Sequence, residues 1–306
     1  MVQLKNSFKF KDKLMKNNLL KKSSLAATLL ASLICATTAL AQTSVWKVSK
    51  GNDHIYLAGT VHILPVSELP LPSEFTYAYK NSDAIVLEAK LPDPTDLNFQ
   101  LKMMQKMSYQ NGKKLSDVLS KRTYSQLSNY IAGFGADINT LNGFKPGFIV
   151  TMIAMMEAQR SSILGEGVDA YFNQLAVKDS KAIEYLETAD FQLNMLAKMG
   201  IGYEEKFIKS NLTQMKGFKQ MFTGLIAAWR KGNVKQLEKL VMAPMMEDRK
   251  TLKAVITDRN QNWIPHIEKM FTDNDREFVL VGVGHLIGNK SVISLLKRKG
   301  YTVAKM

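Results

Sequence analysis

Apolar segments typical of β-strands lie at the two ends of this chain, and the long region between them has the spacing of helices. Residues 45–48 and 54–60 are predicted as two strands joined by a turn, and residues 84–87 form an unbroken apolar run. Near the other end, residues 278–283 and 301–304 are predicted strands around a short helix. Neither end alone supplies enough strands to form a sheet covered on both faces. We therefore predict an α/β fold with a mixed central sheet formed by the N- and C-terminal segments.

The middle of the chain, about residues 95–275, is predicted to be a large helical insertion. Apolar residues recur there at helical spacing, and one short strand is predicted at 182–187. The predicted helices are 146–160, 169–177, 190–199, 203–230, 245–271 and, after the insertion, 291–298. No internal repeat divides the sequence. We therefore predict a single domain over residues 42–306.

Residues 1–41 have the three parts of a secretory signal peptide. A basic segment with Lys21 and Lys22 precedes an apolar run over 25–40, which ends in Ala39-Leu40-Ala41. The run is short for a membrane span of about 20 residues, and an uncleaved anchor is the alternative. We predict cleavage after the last of these alanines and a periplasmic or secreted protein.

Composition and charge exclude several classes of protein. Hydrophobic residues make up 46% of the sequence and charged residues 22%, which is typical of a globular protein rather than a disordered one. The single cysteine, Cys35, excludes a disulfide scaffold, and its removal with the signal would leave no thiol nucleophile. Residues 1–41 contribute seven Lys and one Asp to the net charge of +14, which leaves +8 on the rest. Since no dense basic block with aromatic residues occurs there, we predict no nucleic-acid partner.

Two histidines come directly after apolar strands, each three residues after a glycine. Gly59-Thr60-Val61-His62 and Gly282-Val283-Gly284-His285 both place an imidazole where a strand ends. Glycine allows a tight bend or a close backbone approach, and ligands bind at the carboxyl edge of open α/β sheets. His54 has the same spacing after a glycine but lies in a turn before a strand, so spacing alone is not specific. The alternative is that His62 and His285 are hydrogen-bonded core residues.

Two glutamates occupy the same kind of position. Glu88 comes directly after the apolar run 84–87, and Glu187 ends the short strand of the middle region. A carboxylate placed there must be solvated, paired or metal-bound, because burying it alone is costly. Two His and one or two carboxylates suit a divalent transition metal that keeps one position open for water. Glu187 also has a structural alternative, because Thr188 and Asp190 follow it and helix capping can use this region.

Arg259 and Asn260 are adjacent polar residues on a helix predicted to end near Trp263-Ile264-Pro265. A solvated helix face is the usual interpretation of such a pair. The methionines occur at helical spacing as well, which favours core packing over copper binding. No Gly-x-Ser-x-Gly, Walker or His-Glu-x-x-His motif occurs, so no motif supports a Ser or Tyr nucleophile.

Taken in order, these motifs resemble those of the TraB/GumN family, which also contains the Tiki-type membrane-tethered proteases. The resemblance begins with the export signal, the sequence Gly-Thr-Val-His-Ile-Leu at 59–64, and Glu88. It extends over essentially the whole mature chain. The further matching motifs are Phe144-Lys145-Pro146, Gly167-Val168-Asp169, Leu186-Glu187-Thr188 with Gln192, Arg259-Asn260 with Trp263, and residues 281–288 and 300–303.

The resemblance implies a metal-dependent hydrolase, protease- or peptidase-like, with a peptide or protein substrate. It implies that His62, His285 and Glu88 bind the metal, and that Glu88, Glu187, Arg259 and Asn260 act in catalysis. The metal would be Mn²⁺, Co²⁺ or Zn²⁺. The alternative is a non-catalytic envelope module that binds a ligand or a metal in the same cleft. With no membrane span predicted after the signal, the sequence departs from the tethered proteases and predicts a free exported protein.

Overall fold

A six-stranded mixed sheet forms the centre of the part of the chain that the structure describes. The computed structural model describes residues 43–93, 95–272 and 274–306, so the signal peptide predicted over 1–41 lies outside the described residues. Across the sheet the strands follow the order β4-β3-β5-β2-β1-β6. Their bounds are β1 Val45–Lys50, β2 Asp53–Thr60, β3 Ala84–Leu87, β4 Ala182–Tyr185, β5 Glu277–Gly282 and β6 Thr302–Lys305.

The two ends of the chain share this sheet, as the apolar runs predict. β5 lies between β2 and β3 and is parallel to both, with Phe278 opposite Tyr56 on one side and opposite Ile85 on the other. β4 is parallel to β3, whereas β1 is antiparallel to β2 and to β6. The mixed α/β sheet built from N- and C-terminal segments is therefore confirmed. The middle region also contributes to it, because β4 forms one edge.

Helices pack on both faces of the sheet, which explains why its central strands are apolar throughout. In β2, Tyr56 and Ala58 face one core, whereas Ile55 and Leu57 face the other. The helices contribute Phe75, Phe172, Ile226 and Trp229 to the first core and Trp263, Ile267 and Leu296 to the second. A third apolar cluster lies among helices alone and contains Leu127, Ile149 and Ile208.

The helices agree well with the sequence pattern. Pro146–Arg160 is confirmed at both ends, whereas the predicted stretch 203–230 is two helices separated at Lys216 and Gly217.

Within the described ranges, no helix has the length and apolar character needed to cross a bilayer. The α-helices are α1 Ser73–Lys80, α2 Leu97–Met107, α3 Leu115–Val118, α4 Lys121–Ala132, α5 Pro146–Arg160, α6 Val168–Asp179, α7 Ala189–Lys198, α8 Glu204–Met215, α9 Phe218–Arg230, α10 Val234–Leu237, α11 Ala243–Met246, α12 Arg249–Leu252, α13 Asp258–Lys269 and α14 Val292–Arg298.

The helix that carries Arg259 and Asn260 does not end near residues 263–265, so that prediction is wrong. Helix α13 continues to Lys269 with Pro265 inside it. Three apolar side chains of the helix are buried in the second core, namely Trp263, Ile264 and Ile267. Their packing outweighs the backbone hydrogen bond that a proline inside a helix cannot donate.

A π-helical turn, Lys253–Thr257, joins α12 directly to α13. Residues Arg249–Lys269 therefore form one continuous helical segment. Such wider turns are rare and are frequently found at functional sites. Here the turn ends two residues before Arg259. Arg259 and Asn260 therefore have helical residues both before and after them in the chain.

Candidate functional site

All four parallel strands end at one edge of the sheet, and each is followed there by a residue predicted to belong to the site. Glu88 comes directly after β3, whereas His62 and Glu187 lie two residues beyond the ends of β2 and β4. His285 ends the short 3-10 helix that follows β5. The carboxyl ends of parallel strands meet at the same sheet edge, which is where open α/β sheets bind ligands. The structure therefore brings these four side chains to one place.

Gly282 is the point on which three of these side chains converge. A Cβ atom at this position would lie 3.3 Å from Glu88 Oε1, 3.5 Å from His62 Nε2 and 3.7 Å from His285 Cδ2. The Gly282 backbone has φ −49° and ψ 133°, which any residue can adopt. A side chain here would therefore crowd Glu88 Oε1, so glycine matters for the space that it leaves and not for an unusual backbone conformation.

Arg259 is buried at the centre of the cluster, so the interpretation of Arg259 and Asn260 as a solvated helix face is wrong. Only 4% of the Arg259 side chain is exposed. Its Nε and Nη2 donate to Glu187 at 2.6 to 3.2 Å, and Nη2 also donates to Glu88 Oε2. Burial lowers the pKa of Arg259, but the two carboxylates outweigh this effect and raise it. The guanidinium is tolerated in the core because these carboxylates match its charge.

Glu187 holds Arg259 and does not cap the following helix. Its Oε2 also accepts from Trp263 Nε1 at 3.0 Å, and its Oε1 accepts from Gln192 Nε2 at 3.0 Å. The cap of α7 is Thr188, whose hydroxyl oxygen accepts a backbone hydrogen bond in the first turn at 3.1 Å. Both oxygens of Glu187 are thus occupied by donors of the chain. This arrangement makes Glu187 a residue that positions Arg259.

Glu88 is held in its ionised form. Its Oε1 accepts from the N–H of Gly282 at 2.7 Å, and its Oε2 accepts from Arg259 and, at 3.3 Å, from Gln192. Burial raises the pKa of the Glu88 carboxyl, but neighbouring groups outweigh burial and lower that pKa to about 2. These groups are, in order of size, His285, Arg259, His62 and the Gly282 N–H.

Asn260 fixes the tautomer of His285. The Asn260 amide donates from Nδ2 to the Lys290 carbonyl at 2.9 Å, so its Oδ1 accepts from His285 Nδ1 at 2.6 Å. The Nε2 atom of His285 then carries a lone pair, which faces Nη1 of Arg259 at 3.1 Å and lies 3.7 Å from Glu88 Oε1. Burial is the main reason that the pKa of His285 falls to about 3. The buried imidazole is therefore neutral at physiological pH.

His62 differs from His285 in exposure and in protonation. Solvent reaches 63% of its side chain, and its Nδ1 lies 3.3 Å from Asp169 Oδ2. Desolvation lowers the pKa of His62, but the hydrogen bond and the charge of Asp169 outweigh it and raise the pKa to about 9. Solvent screening at an exposed ring reduces the strength of this attraction. The two imidazoles of the cluster thus differ, one protonated and one neutral.

Three further side chains complete the cluster and were not predicted as site residues: Asp169, Gln192 and Trp263. Asp169 lies in the first turn of α6, and Gln192 lies near the start of α7. The local sequence pattern therefore indicates only an ordinary polar residue near a helix N-terminus in each case. The signal that could have found them was their occurrence within the motifs that carry the family resemblance. Trp263 packs against His285 with ring centroids 4.4 Å apart.

A cavity of about 320 Å³ opens over the cluster. Its polar lining residues are Thr60, His62, Glu88, Asp169, Gln192 and Arg259, and its apolar wall includes Met195, Leu196 and Val255. His285 does not line the cavity, since it lies behind this layer and is only 3% exposed. The volume is in the range of small-molecule and substrate sites. The cluster is therefore accessible from solvent on the His62 side.

Fold and site together define an α/β protein whose four parallel strands present two imidazoles and two carboxylates around a buried guanidinium. The model of the TraB/PrgY/gumN family matches residues 44–305, and the chain belongs to this family. Uncharacterized protein YbaP of Escherichia coli (strain K12) is 22% identical over 251 residues, which cover 81% of this chain and 89% of YbaP. YbaP of Shigella flexneri is similar to the same extent. No solved structure is significantly similar to the chain.

The chemistry of the donor set fits a divalent transition metal. In the described residues, no group of three or more His, Cys, Asp and Glu side chains is already arranged to hold an ion. Nevertheless, Glu88 Oε1 and His285 Nε2 lie only 3.7 Å apart, and carboxylate and imidazole are residue types that would hold such an ion. Each imidazole is held at Nδ1 by an oxygen of Asp169 or Asn260, as is usual for metal-binding histidines.

The charges of the cluster also suit a divalent ion. The cluster has three carboxylates, those of Glu88, Glu187 and Asp169, against the single guanidinium of Arg259. With His62 protonated and His285 neutral, a net charge of one negative unit remains, and it becomes two negative units when His62 loses its proton. In addition, Oδ1 of Asp169 is buried and has no hydrogen-bond partner among the described residues. A cation bound beside His62 would balance this charge.

Proposed function

We propose that the chain is a metal-dependent hydrolase that acts on peptide bonds and binds Mn²⁺, Co²⁺ or Zn²⁺ through His62, His285 and Glu88. The observation that supports this proposal is the convergence of these three side chains on Gly282. Neutral imidazole and carboxylate are the ligands that these ions prefer. We also propose that the protein works in the periplasm or outside the cell, because residues 1–41 have the composition of a signal peptide.

The chain's own residues prepare the site for this chemistry. Asn260 keeps a proton on Nδ1 of His285, so Nε2 could act as a ligand in exchange for its hydrogen bond from Arg259 Nη1. Asp169 supports His62 in the same way, although His62 must lose a proton before it can bind a cation. A metal bound there would lower the pKa of a water molecule and polarise the substrate carbonyl. Arg259 places a fixed positive charge beside the cavity, where it can stabilise negative charge that develops on the substrate.

The experiment compares metal content with peptide cleavage. The exported protein is purified, its metals are measured by elemental analysis, and a peptide library is digested in EDTA and then with added Mn²⁺, Co²⁺ or Zn²⁺. Cleavage is expected only with metal, and Glu88→Gln should abolish it. His62→Ala and His285→Ala should each weaken metal binding by at least about 10-fold. His54→Ala is the matched control, since His54 has the same spacing after a glycine but lies at the start of β2.

Two outcomes count against the proposal. A folded double variant, His62→Ala with His285→Ala, that binds metal and cleaves peptides like the parent would overturn it. Metal binding without cleavage of any peptide would instead favour the non-catalytic envelope module. Equal loss in the His54→Ala control would indicate general destabilisation.

A further inference from the structure

A second cavity, of about 510 Å³, lies next to the cavity of the candidate site. Met195 lines both cavities, so they adjoin at this residue. One wall of the second cavity is α7 with the turn that follows it, and the other is the helical segment 250–262. That same segment carries Arg259 into the site. The two cavities therefore lie side by side between the same two walls.

The floor of the second cavity is apolar. It is formed by Phe191, Met195, Met199, Ile201 and Ala254. Phe191 and Ile201 are each 39% exposed, which leaves large apolar side chains open to solvent at the cavity. A contiguous apolar surface inside a concave site is typical of a place where a ligand buries an apolar group.

The rim of the second cavity is positively charged. Lys198 and Lys250 line it, and within the described residues neither ammonium has a carboxylate at ion-pair distance. Lys250 Nζ lies 4.8 Å from the centre of the ring of Tyr203, which also lines the cavity. Asp258 also lines the cavity, but it pairs with Lys253. Two positive charges are thus left for a ligand.

We propose that this second cavity is a substrate subsite that binds a peptide segment with an apolar side chain and a neighbouring carboxylate. This inference rests on the proposed hydrolase function, because it places the bond to be cleaved in the adjoining cavity. The apolar side chain packs on the floor between Phe191 and Met199, and the carboxylate pairs with Lys198 and Lys250. Thr251 and Asn262 line the same cavity and supply hydroxyl and amide groups for the peptide backbone. The carboxylate is an acidic side chain or the C-terminus of the peptide.

The test measures binding, so that it does not depend on turnover. Fluorescein-labelled hexapeptides, amidated at the C-terminus, carry leucine–glutamate, leucine–glutamine or alanine–glutamate at the central two positions. A fourth peptide has the leucine–glutamine sequence and a free C-terminal carboxylate. Affinity for the full exported protein is measured by fluorescence anisotropy. We expect the leucine–glutamate peptide to bind about 10-fold more tightly than the leucine–glutamine peptide, the effect of one charge-assisted contact. The fourth peptide shows whether a C-terminal carboxylate serves equally well.

Matched lysine variants locate the binding. Lys198→Met and Lys250→Met keep the apolar stem and remove the charge, so each should weaken the preference for the carboxylate, and the double variant should abolish it. Lys219→Met, on the exposed surface of α9, should leave all affinities unchanged. The subsite proposal is wrong if no peptide binds, or if affinity depends neither on the carboxylate of the peptide nor on Lys198. This conclusion holds even where peptides are cleaved. If the preference and its lysine dependence are found but no peptide is cleaved, the subsite stands and the hydrolase proposal fails.

Discussion

Arg259 donates a hydrogen bond to Glu88, and both side chains are almost entirely buried although they lie 171 residues apart in the sequence. This ion pair joins α13 to the carboxyl end of β3. It fixes the guanidinium beside the cavity and keeps the Glu88 carboxyl ionised. The pair is therefore a link between the helical segment and the sheet as well as a part of the site.

Replacing Arg259 by glutamine should destabilise the fold strongly. The change leaves Glu88 and Glu187 buried without their cation, and an uncompensated buried charge typically costs about 3–5 kcal/mol. Urea unfolding at pH 7 measures the loss. Arg122→Gln, on the exposed surface of α4, is the control and should change the free energy of unfolding by less than about 0.5 kcal/mol. Equal stability of the two variants would show that the buried pair contributes little.

Replacing Gly282 by alanine should impair the site more than the fold. The added methyl would lie 3.3 to 3.7 Å from atoms of Glu88, His62 and His285, while the backbone conformation suits alanine. We expect metal affinity to fall by about 10- to 100-fold, as for other changes beside metal ligands, and the circular dichroism spectrum to stay unchanged.

Gly284→Ala provides a matched control for that change. A Cβ there would be similarly crowded, at 3.3 and 3.4 Å, but by the apolar side chains of Val241 and Ile256. Isothermal titration with Mn²⁺ or Zn²⁺ compares the two variants. If Gly284→Ala weakens metal binding as much as Gly282→Ala, crowding of the site is not the cause.

The two imidazoles should titrate far apart in metal-free protein. The pKa of His62 is raised to about 9 by Asp169, whereas burial lowers that of His285 to about 3. Asp169→Asn should lower the pKa of His62 markedly and leave His285 neutral above pH 5. Because the folded pKa of His62 lies above the ordinary value of 6.5, its contribution to stability is complete below pH 6.5 and is lost as pH rises through about 9. Imidazole NMR signals recorded from pH 4 to 10 should show His62 titrating at high pH and His285 remaining neutral over most of this range. Titration of both rings at the same pH would contradict the prediction.

The N-terminus of the exported protein should be Gln42 or a residue within a few positions of it. The reason is the small-x-small sequence Ala39-Leu40-Ala41 after a basic segment and an apolar run. N-terminal sequencing of protein recovered from the periplasm or the medium provides the measurement. A mature chain that retains residues 25–40 would show that this segment is an anchor.

Local sequence patterns predict well both the strands of the sheet and the residues that lie at its carboxyl edge. The run 84–87 becomes β3 without change. Glu88, the polar residue directly after it, lines the cavity of the site. The glycines three residues before each histidine were expected to permit a bend or a close approach. The structure shows a close approach, since a Cβ on Gly59 would lie 2.8 Å from the Val283 side chain.

The burial of Arg259 could not be predicted from its own helix. Its partners come from β3 and from the end of β4, and nothing in the spacing of residues 249–269 indicates which strand ends they face. The same holds for Asp169, whose bond to His62 spans 107 residues of sequence. Pro265 misled the prediction of the helix end for a related reason, because a proline signal is local whereas the packing of Trp263 and Ile267 is not.

The position of β5 has a consequence for how the protein becomes functional. β5 separates β2 from β3, yet it is made long after both of them, so the two earlier strands have no common neighbour until the C-terminal segment arrives. Contacts of such long sequence separation form slowly. A chain that still lacks its C-terminal segment contains His62 and Glu88 but has no β5 to hold β2 and β3 together. The cluster thus exists only once the chain is nearly complete.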